Sequence, residues 1–510
     1  MSSGKLFLCI ILLCFGLPVG AQQYFKIEVV DGRTQRGVPL IELRTVSNVR
    51  YVTDSRGVVA FYEPGLMNRD VFFYVQGHGY TYPADGFGIR GKALHTTPGG
   101  SARLVVERVN IAERLYRITG EGIYRDTLLL GEKAPIQAPL LNGQVTGQDT
   151  VMALPYRGKL SWFYGDTGRV SYALGNFATS GATSLLPGKG GLDPSVGIDL
   201  TYFVNAEGYC RGMAPLKEPG VVWIDAVTTL SVPVPETLIC RYERLKTLGQ
   251  PLERGLMRYN DVTQTFERLV QFDMKQPLYP QGHPFHRTVE GTEWIYFPTP
   301  YPNIRVRATL ADMQDQTRYE AYTPLGAGSR WAGVDSKLER DAAGKLVWGW
   351  KRDTAPVSPE EQAQLVKAGR MREEESPFAL HDLVTGKSVM AQGGSVTWND
   401  YRKRWIMIFG EIRGTSFLGE IWYAEAEQPE GPWTTARKIV THDRYTFYNP
   451  TQHPFFDQEG GRILYFEGTY TNQFTGTPET QATPRYEYNQ ILYRLDLSDP
   501  RLHSQARTVK

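Results

Sequence analysis

Between Tyr24 and Glu107 apolar and polar residues alternate in short runs. Tyr24-Phe-Lys-Ile-Glu-Val-Val30 alternates and stops at Asp31-Gly32; residues 37–43, 49–53, 58–62, 71–75 and 103–107 repeat the pattern between Gly/Asp turns. A period of two puts alternate side chains on opposite faces, the signature of strands. Short strands at regular spacing predict a small all-β sandwich over residues 24–108.

From about residue 110 the texture changes to aromatic-rich strand pairs. The clearest are 150–155 with 159–164 and 293–297 with 304–307. Two further pairs gain a third strand: 395–398 with 404–409 and then 419–424, and 452–456 with 462–466 and then 490–495. Each of these last two reads as loop, short strand, Asp/Gly/Lys turn, apolar strand ending in Gly or Glu, loop, third strand. That is the unit of a propeller blade. About five such units fit between residues 141 and 500, so the predicted fold is all-β: a five-bladed β-propeller preceded by the sandwich. Residues 109–140 are read as a linker and propeller-closing strand, with 114–126 as the outer strand of the last blade, which removes an open edge. Within 354–392, an insertion between blades, Ser358-Pro359-Glu360-Glu361 opens a short helix with a Ser cap, Pro at its first position and acids in its first turn.

The blade pattern converts position into location. The innermost strand starts at one face and the second returns to it. Residues just before the first strand and just after the second therefore meet at the mouth of the central channel. This brings Asp149, Asp166, Glu411 and Glu467 forward as candidate catalytic carboxylates. His283, His286, Asn449, His453 and Tyr470 are the candidate substrate-positioning residues. Asp199 and Asp225, in the second unit, are held in reserve. Two carboxyl groups flanking a glycosidic bond, one protonated and one ionised, suffice for its hydrolysis, and crowding raises the pKa of one of them. A Gly-Asp-Thr after a strand is also an ordinary turn that caps its own backbone, so the assignment depends on convergence.

Composition narrows the field. Lys plus Arg (56) against Asp plus Glu (54) leaves +2, which argues against a nucleic-acid partner. Lys5, the apolar run 6–17 and Val19-Gly20-Ala21 read as a cleavable secretory signal over residues 1–21, hence a secreted or periplasmic protein. The run is too short to span a membrane, and no later segment has the length. Cys9 and Cys14 leave with the signal. Cys210 and Cys240 stay open between one disulfide and two buried thiols. Two cysteines so far apart make no zinc site by themselves, and no metal ligands are assigned.

Several motifs resemble known families. The run from Gly37-Val-Pro-Leu-Ile-Glu-Leu43 to Val52-Thr-Asp-Ser-Arg-Gly-Val-Val-Ala-Phe61 resembles carboxypeptidase-regulatory-like or Cna-B-like accessory sandwiches, which implies a spacer role. Lys159-Leu-Ser-Trp-Phe-Tyr-Gly-Asp166-Thr167, with Gln148-Asp149-Thr150 upstream, resembles the opening of the domain-of-unknown-function 4185 group, some members of which are arabinan-cleaving glycosidases. Gly419-Glu-Ile-Trp-Tyr-Ala-Glu-Ala-Glu-Gln-Pro-Glu-Gly-Pro-Trp433 is similar to outer strands of five-bladed propeller glycosidases such as glycoside hydrolase family 43. The resemblance covers residues 140–500 in patches, and the second unit lacks the family's Asp motif.

What it implies is a glycoside hydrolase acting on a polysaccharide or oligosaccharide, with Asp166 the first choice among the carboxylates. No cofactor is required, and a structural calcium in the channel is compatible with it. Two alternatives stand beside it: a non-catalytic carbohydrate- or protein-binding propeller, and a polysaccharide lyase using His283, His286, Arg305 and Arg307. The sequence carries no sign of oligomeric state.

Overall fold

The computed structural model describes residues 23–231, 235–476 and 481–503. The signal-like segment 1–21, with Cys9 and Cys14, lies outside the described residues. The molecule is almost entirely β-structure.

Two four-stranded sheets come first. One contains Val58–Phe61, Phe25–Asp31, Ser101–Arg108 and Tyr80–Thr81; the other contains Arg50–Val52, Glu42–Thr45, Arg69–Gln76 and Gly91–Thr96. Their inward positions are every second residue, such as Ile27 and Val29, Phe73 and Val75, Leu104 and Val106, all buried in one core with Leu43 and Phe61. The sequence pattern misses Tyr80–Thr81 and Gly91–Thr96, because neither has a sustained apolar face.

Five antiparallel sheets follow, each beginning with its innermost strand. The first blade runs Val151–Tyr156, Lys159–Tyr164, Ser180–Leu185, Thr201–Tyr202. The second runs Val221–Leu230, Thr237–Thr247, Gln250–Asn260, Thr265–Gln271. The third runs Phe285–Val289, Thr292–Tyr296, Ile304–Arg307, Glu320–Thr323, Gly349–Arg352. The fourth runs Ala391–Asn399, Arg404–Glu411, Glu420–Ala426, Trp433–Thr441, with Phe378–Asp382 added in parallel at its edge. The fifth runs Thr446–Gln452, Ile463–Thr471 and Asn489–Asp496, and its fourth strand is Glu113–Arg117. Successive inner strands touch, first with second and fourth with fifth. All five inner strands, or the loops leading into them, line one central cavity. This is a five-bladed propeller. The last blade is completed by a strand from ahead of the first, so no sheet edge is left open at the seam.

The seam between the first and last blades is a continuous core of Trp162, Tyr164, Phe456, Tyr465, Leu492 and, from the closing strand, Tyr116. Trp162 is completely buried. Its indole N–H donates to Ser184 Oγ at 2.8 Å, and its ring packs on His453, Phe455 and Phe456. Arg114, also buried, joins the sandwich to the propeller: its guanidinium donates to Pro39 O at 3.1 Å and His78 O at 2.6 Å on one side and Tyr493 Oη at 3.0 Å on the other.

The first blade carries an additional sheet of Val145–Gln148, Thr167–Arg169 and Tyr172–Asn176. The helix is Pro359–Lys367, with the Ser358/Glu361 capping box in place. Its Leu365, with Met371, packs on Leu325, Leu346 and Val357, and its first residues reach the central cavity. Cys210 and Cys240 are both buried and free, which closes the disulfide alternative. They belong to the cores of different blades.

Candidate active site

The central cavity has a volume of about 750 Å³. Three of its inner strands bulge where they pass it, at Asp225/Thr228, Gln392/Gly394 and Tyr448/Thr451. A bulge re-aims the side chains around it. Thr150, Ala226, Asn449 and Tyr488 all have positive φ here, between 43° and 61°. Strained backbone of this kind persists only where surrounding structure enforces it. Asn449 Nδ2 donates to Thr150 Oγ1 at 2.7 Å, and Thr150 N donates to Thr469 Oγ1 at 3.0 Å.

Two aspartates of the first blade sit together in the cavity wall. Asp149 N donates to Asp166 O at 3.2 Å, and Gly165 N donates to Asp149 O at 2.9 Å. A Cβ on Gly165 would lie 2.2 Å from Asp149 Oδ1, so the close approach needs glycine there. Asp149 Oδ2 accepts from Tyr448 Oη at 2.7 Å, and Tyr488 also hydrogen-bonds this carboxylate. Asp149 Oδ1 and Asp166 Oδ1 are each buried without a hydrogen-bond partner among the described residues.

Burial, then the neighbouring Asp149 charge, pushes the Asp166 carboxyl up to about 7, against a smaller pull from the Trp223 indole beside it. Burial also raises Asp149, while the hydrogen bonds from Tyr448 and Tyr488 favour its ionised form. The charge of Asp149 disfavours ionisation of its neighbour, which adds to the rise at Asp166.

The second blade supplies Trp223, Asp225, Arg241 and Glu243. Trp223 and Asp225 share a face as i and i+2 of one strand. Asp225 Oδ2 lies 3.3 Å from Arg241 and accepts from Gly282 N at 2.9 Å. Arg241 also pairs with Glu243 at 3.0 Å, and Glu243 pairs with Arg254 at 2.8 Å. Against the cost of burial, these guanidinium partners hold Glu243 low. His283 lines the cavity, and burial lowers it to about 4, so it is neutral there at pH 7.

Of the sequence-predicted site residues, Asp149, Asp166, His283 and Asn449 line this cavity, and the others do not. Glu411 ends the second strand of its blade, and its carboxylate accepts from Trp422 Nε1 on the third strand at 2.9 Å instead of lining the cavity. Glu467 is not at a strand end, because its strand runs on to Thr471. It is fully buried, 3.6 Å from His453 Nε2. His453 follows the end of its strand, away from the mouth, and packs on Trp162. The fifth inner strand is Thr446–Gln452, six residues ahead of the predicted 452–456, and this shift explains both errors. His286 hydrogen-bonds Thr228 Oγ1 at 3.0 Å and Glu293 at 2.7 Å on the sheet surface. Tyr470 is stacked on Tyr445, with ring centroids 4.3 Å apart, at the junction with the sandwich. Asp199 accepts from Gln137 N at 2.7 Å in a separate pocket.

Asp225 is thus promoted from reserve, and Trp223, Arg241, Glu243, Phe474 and Tyr488 are additions. The Trp223-Ile224-Asp225 alternation was the available signal for the second blade. Arg305 and Arg307 lie in the outer part of the third blade, stacked on Trp294. Of the residues named for the lyase alternative, His283 alone lines the cavity.

Calcium takes six to eight oxygen ligands. Among the described residues no group of three or more His, Cys, Asp or Glu comes together in a way that holds a metal ion. No step of the proposed reaction runs through a metal.

No protein-family model matches the sequence, and no curated protein matches it significantly. Solved structures similar to it include a protein from Bacteroides ovatus described as a hydrolase, at 16% identity and TM-score 0.41, covering 69% of this chain and 86% of that one. Another is the family GH43_1 enzyme from Xanthomonas citri complexed with xylose, at 10% identity and TM-score 0.32, covering 69% and 86%. A third is the exo-β-1,3-galactanase from Phanerochaete chrysosporium with galactose, at 11% identity and TM-score 0.35, covering 72% and 64%. At these values the likenesses assign neither a substrate nor a mechanism to this chain.

Proposed function

We infer that the protein is a glycoside hydrolase that cleaves an O-glycosyl bond in the central cavity, and that it acts outside the cytoplasm, as the signal-like residues 1–21 suggest. The observation that carries the reading is Asp166, raised to about 7 beside Asp149 in a cavity open to solvent. A carboxyl group protonated at neutral pH is what the departing glycosidic oxygen requires. Asp225, on the neighbouring blade and 3.3 Å from Arg241, is the carboxylate that attacks the sugar or activates water. Asp149 keeps the proton on Asp166.

The test is incubation of the purified chain with plant, algal and microbial glycans. New reducing ends without ultraviolet-absorbing unsaturated uronates are the expected result. Unsaturated uronates would mean a lyase, and binding with neither product would mean a binding propeller. On an active substrate, Gly165→Ala is expected to lower kcat/KM by about 100-fold, since an ångström of misplacement costs that much. Its circular dichroism should match the wild type. Unchanged kinetics would separate Asp149 from the chemistry.

A further inference from the structure

The two sides of the central cavity differ in chemistry. On the third and fourth blades its lining is polar, with Gln281, Thr299, Ser358, Glu360 and Gln392. On either side of the first blade, beside Asp225, Arg241, Glu243, Asn449 and Gln473, it also carries large apolar side chains that reach the rim. Trp223 stands beside Asp166, and Leu248, at the tip of the next hairpin, continues that wall to the rim. On the other flank Tyr448, hydrogen-bonded to Asp149, meets Phe474 edge-on with ring centroids 5.8 Å apart. Leu248 is 81% exposed and Phe474 55% exposed, although both line the cavity. The hairpin that leaves Asp166 carries Val170, Tyr172 and Leu174, all exposed, with exposed Phe177 just after it. Phe177 O accepts from Trp223 Nε1 at 2.7 Å, which ties this hairpin to the wall.

Exposed apolar residues gathered around one opening mark a binding surface. Their position specifies what binds. A general acid sits next to the oxygen of the leaving group, so the half of the cavity around Asp166 is the leaving-group half. At the rim, Leu248 and Phe474 offer a leaving group apolar surface and no hydrogen-bonding partner.

We propose that the mouth of the cavity between Leu248 and Phe474 is a subsite for an apolar aglycone, so that the preferred substrates are glycosides with an alkyl or aryl leaving group. This rests on the glycosidase reading, with the sugar on the polar half and the departing oxygen at Asp166. Cleavage then needs only water: the C–O bond to the aglycone breaks, Asp166 gives its proton to that oxygen, and water supplies the hydroxyl of the released sugar.

The experiment is calorimetric binding and turnover of methyl and n-octyl glycosides of glucose, galactose, xylose and arabinose, kept below micelle-forming concentrations. The proteins are the wild type, Leu248→Ser and Phe474→Ser. For at least one sugar the octyl glycoside should bind on the order of 30-fold more tightly than the methyl, the equivalent of burying two or three methylenes. Most of that ratio should vanish in Leu248→Ser, which alters an exposed hairpin tip. Equal affinities, a ratio untouched by both substitutions, or no octyl binding to any sugar would overturn the proposal while leaving a glycosidase that cleaves other glycans. Tight, Leu248-dependent octyl binding with no turnover of any glycoside would support the apolar subsite and count against the glycosidase reading.

Discussion

Asp166→Asn is expected to lower kcat by about 10³-fold on any glycoside with a poor leaving group, within the range that general acid catalysis contributes. Asparagine keeps the shape and removes the proton donor. The loss should shrink for substrates whose leaving group needs no protonation, such as a nitrophenolate. The wild-type kcat should fall as pH rises above about 7, because the raised carboxyl loses its proton there. The variant should lose that alkaline limb. Folding is not expected to suffer. A carboxyl with a folded pKa above its unfolded value is destabilising once both states ionise, since the folded state then gives up a proton it holds more tightly. At pH 8 the asparagine variant should therefore be at least as stable as the wild type. A variant that is inactive because it is unfolded would show the reverse.

The largest effect on stability is expected at the seam of the ring. Trp162→Ala removes a fully buried indole that packs on three aromatic residues of the fifth blade and donates to Ser184. Emptying a site of that size costs roughly 3–5 kcal/mol, and Ser184 Oγ also loses a partner. The seam is where the two ends of the propeller meet, so the loss falls on ring closure rather than on one sheet. A fall in the melting midpoint of about 4–6 °C follows for a propeller of this size. Phe87→Ala, at a side chain 93% exposed, should stay within about 0.5 kcal/mol of the wild type. Equal effects of the two substitutions would refute a packed seam at Trp162.

Much of the fold was legible because period-two alternation depends on local side-chain order. The hairpin at residues 150–164 and the fourth blade from 395 to 424 were placed to within a few residues. The site was legible where its residues adjoin the first blade's hairpin, as with Asp149 and Asp166. It was lost where register decided. In the fifth blade Tyr448-Asn449-Pro450 carries a bulge, and Asn449-Pro450 obscured a strand, Thr446–Gln452, that mixes polar and apolar residues without clean alternation. The pattern therefore settled on 452–456, which moved Glu467 to a strand end it does not occupy. Glu411 failed for a different reason. Its place along the chain was right, but its carboxylate is engaged by Trp422 on the neighbouring strand, a contact between strands that position alone does not report. The second blade hid Arg241 and Glu243 because their partners, Asp225 for Arg241 and Arg254 for Glu243, lie on neighbouring strands.

The central claim is that Asp166 holds a proton at neutral pH because it is buried with Asp149 at its side. Carbon-13 NMR titration of aspartate-labelled protein measures this directly, with Asp166→Asn identifying the resonance. The account predicts a carboxyl titrating at about 7 that moves to lower pH in Asp149→Asn. An Asp166 carboxyl that titrates near the ordinary aspartate value of about 4, and is indifferent to Asp149, would contradict it.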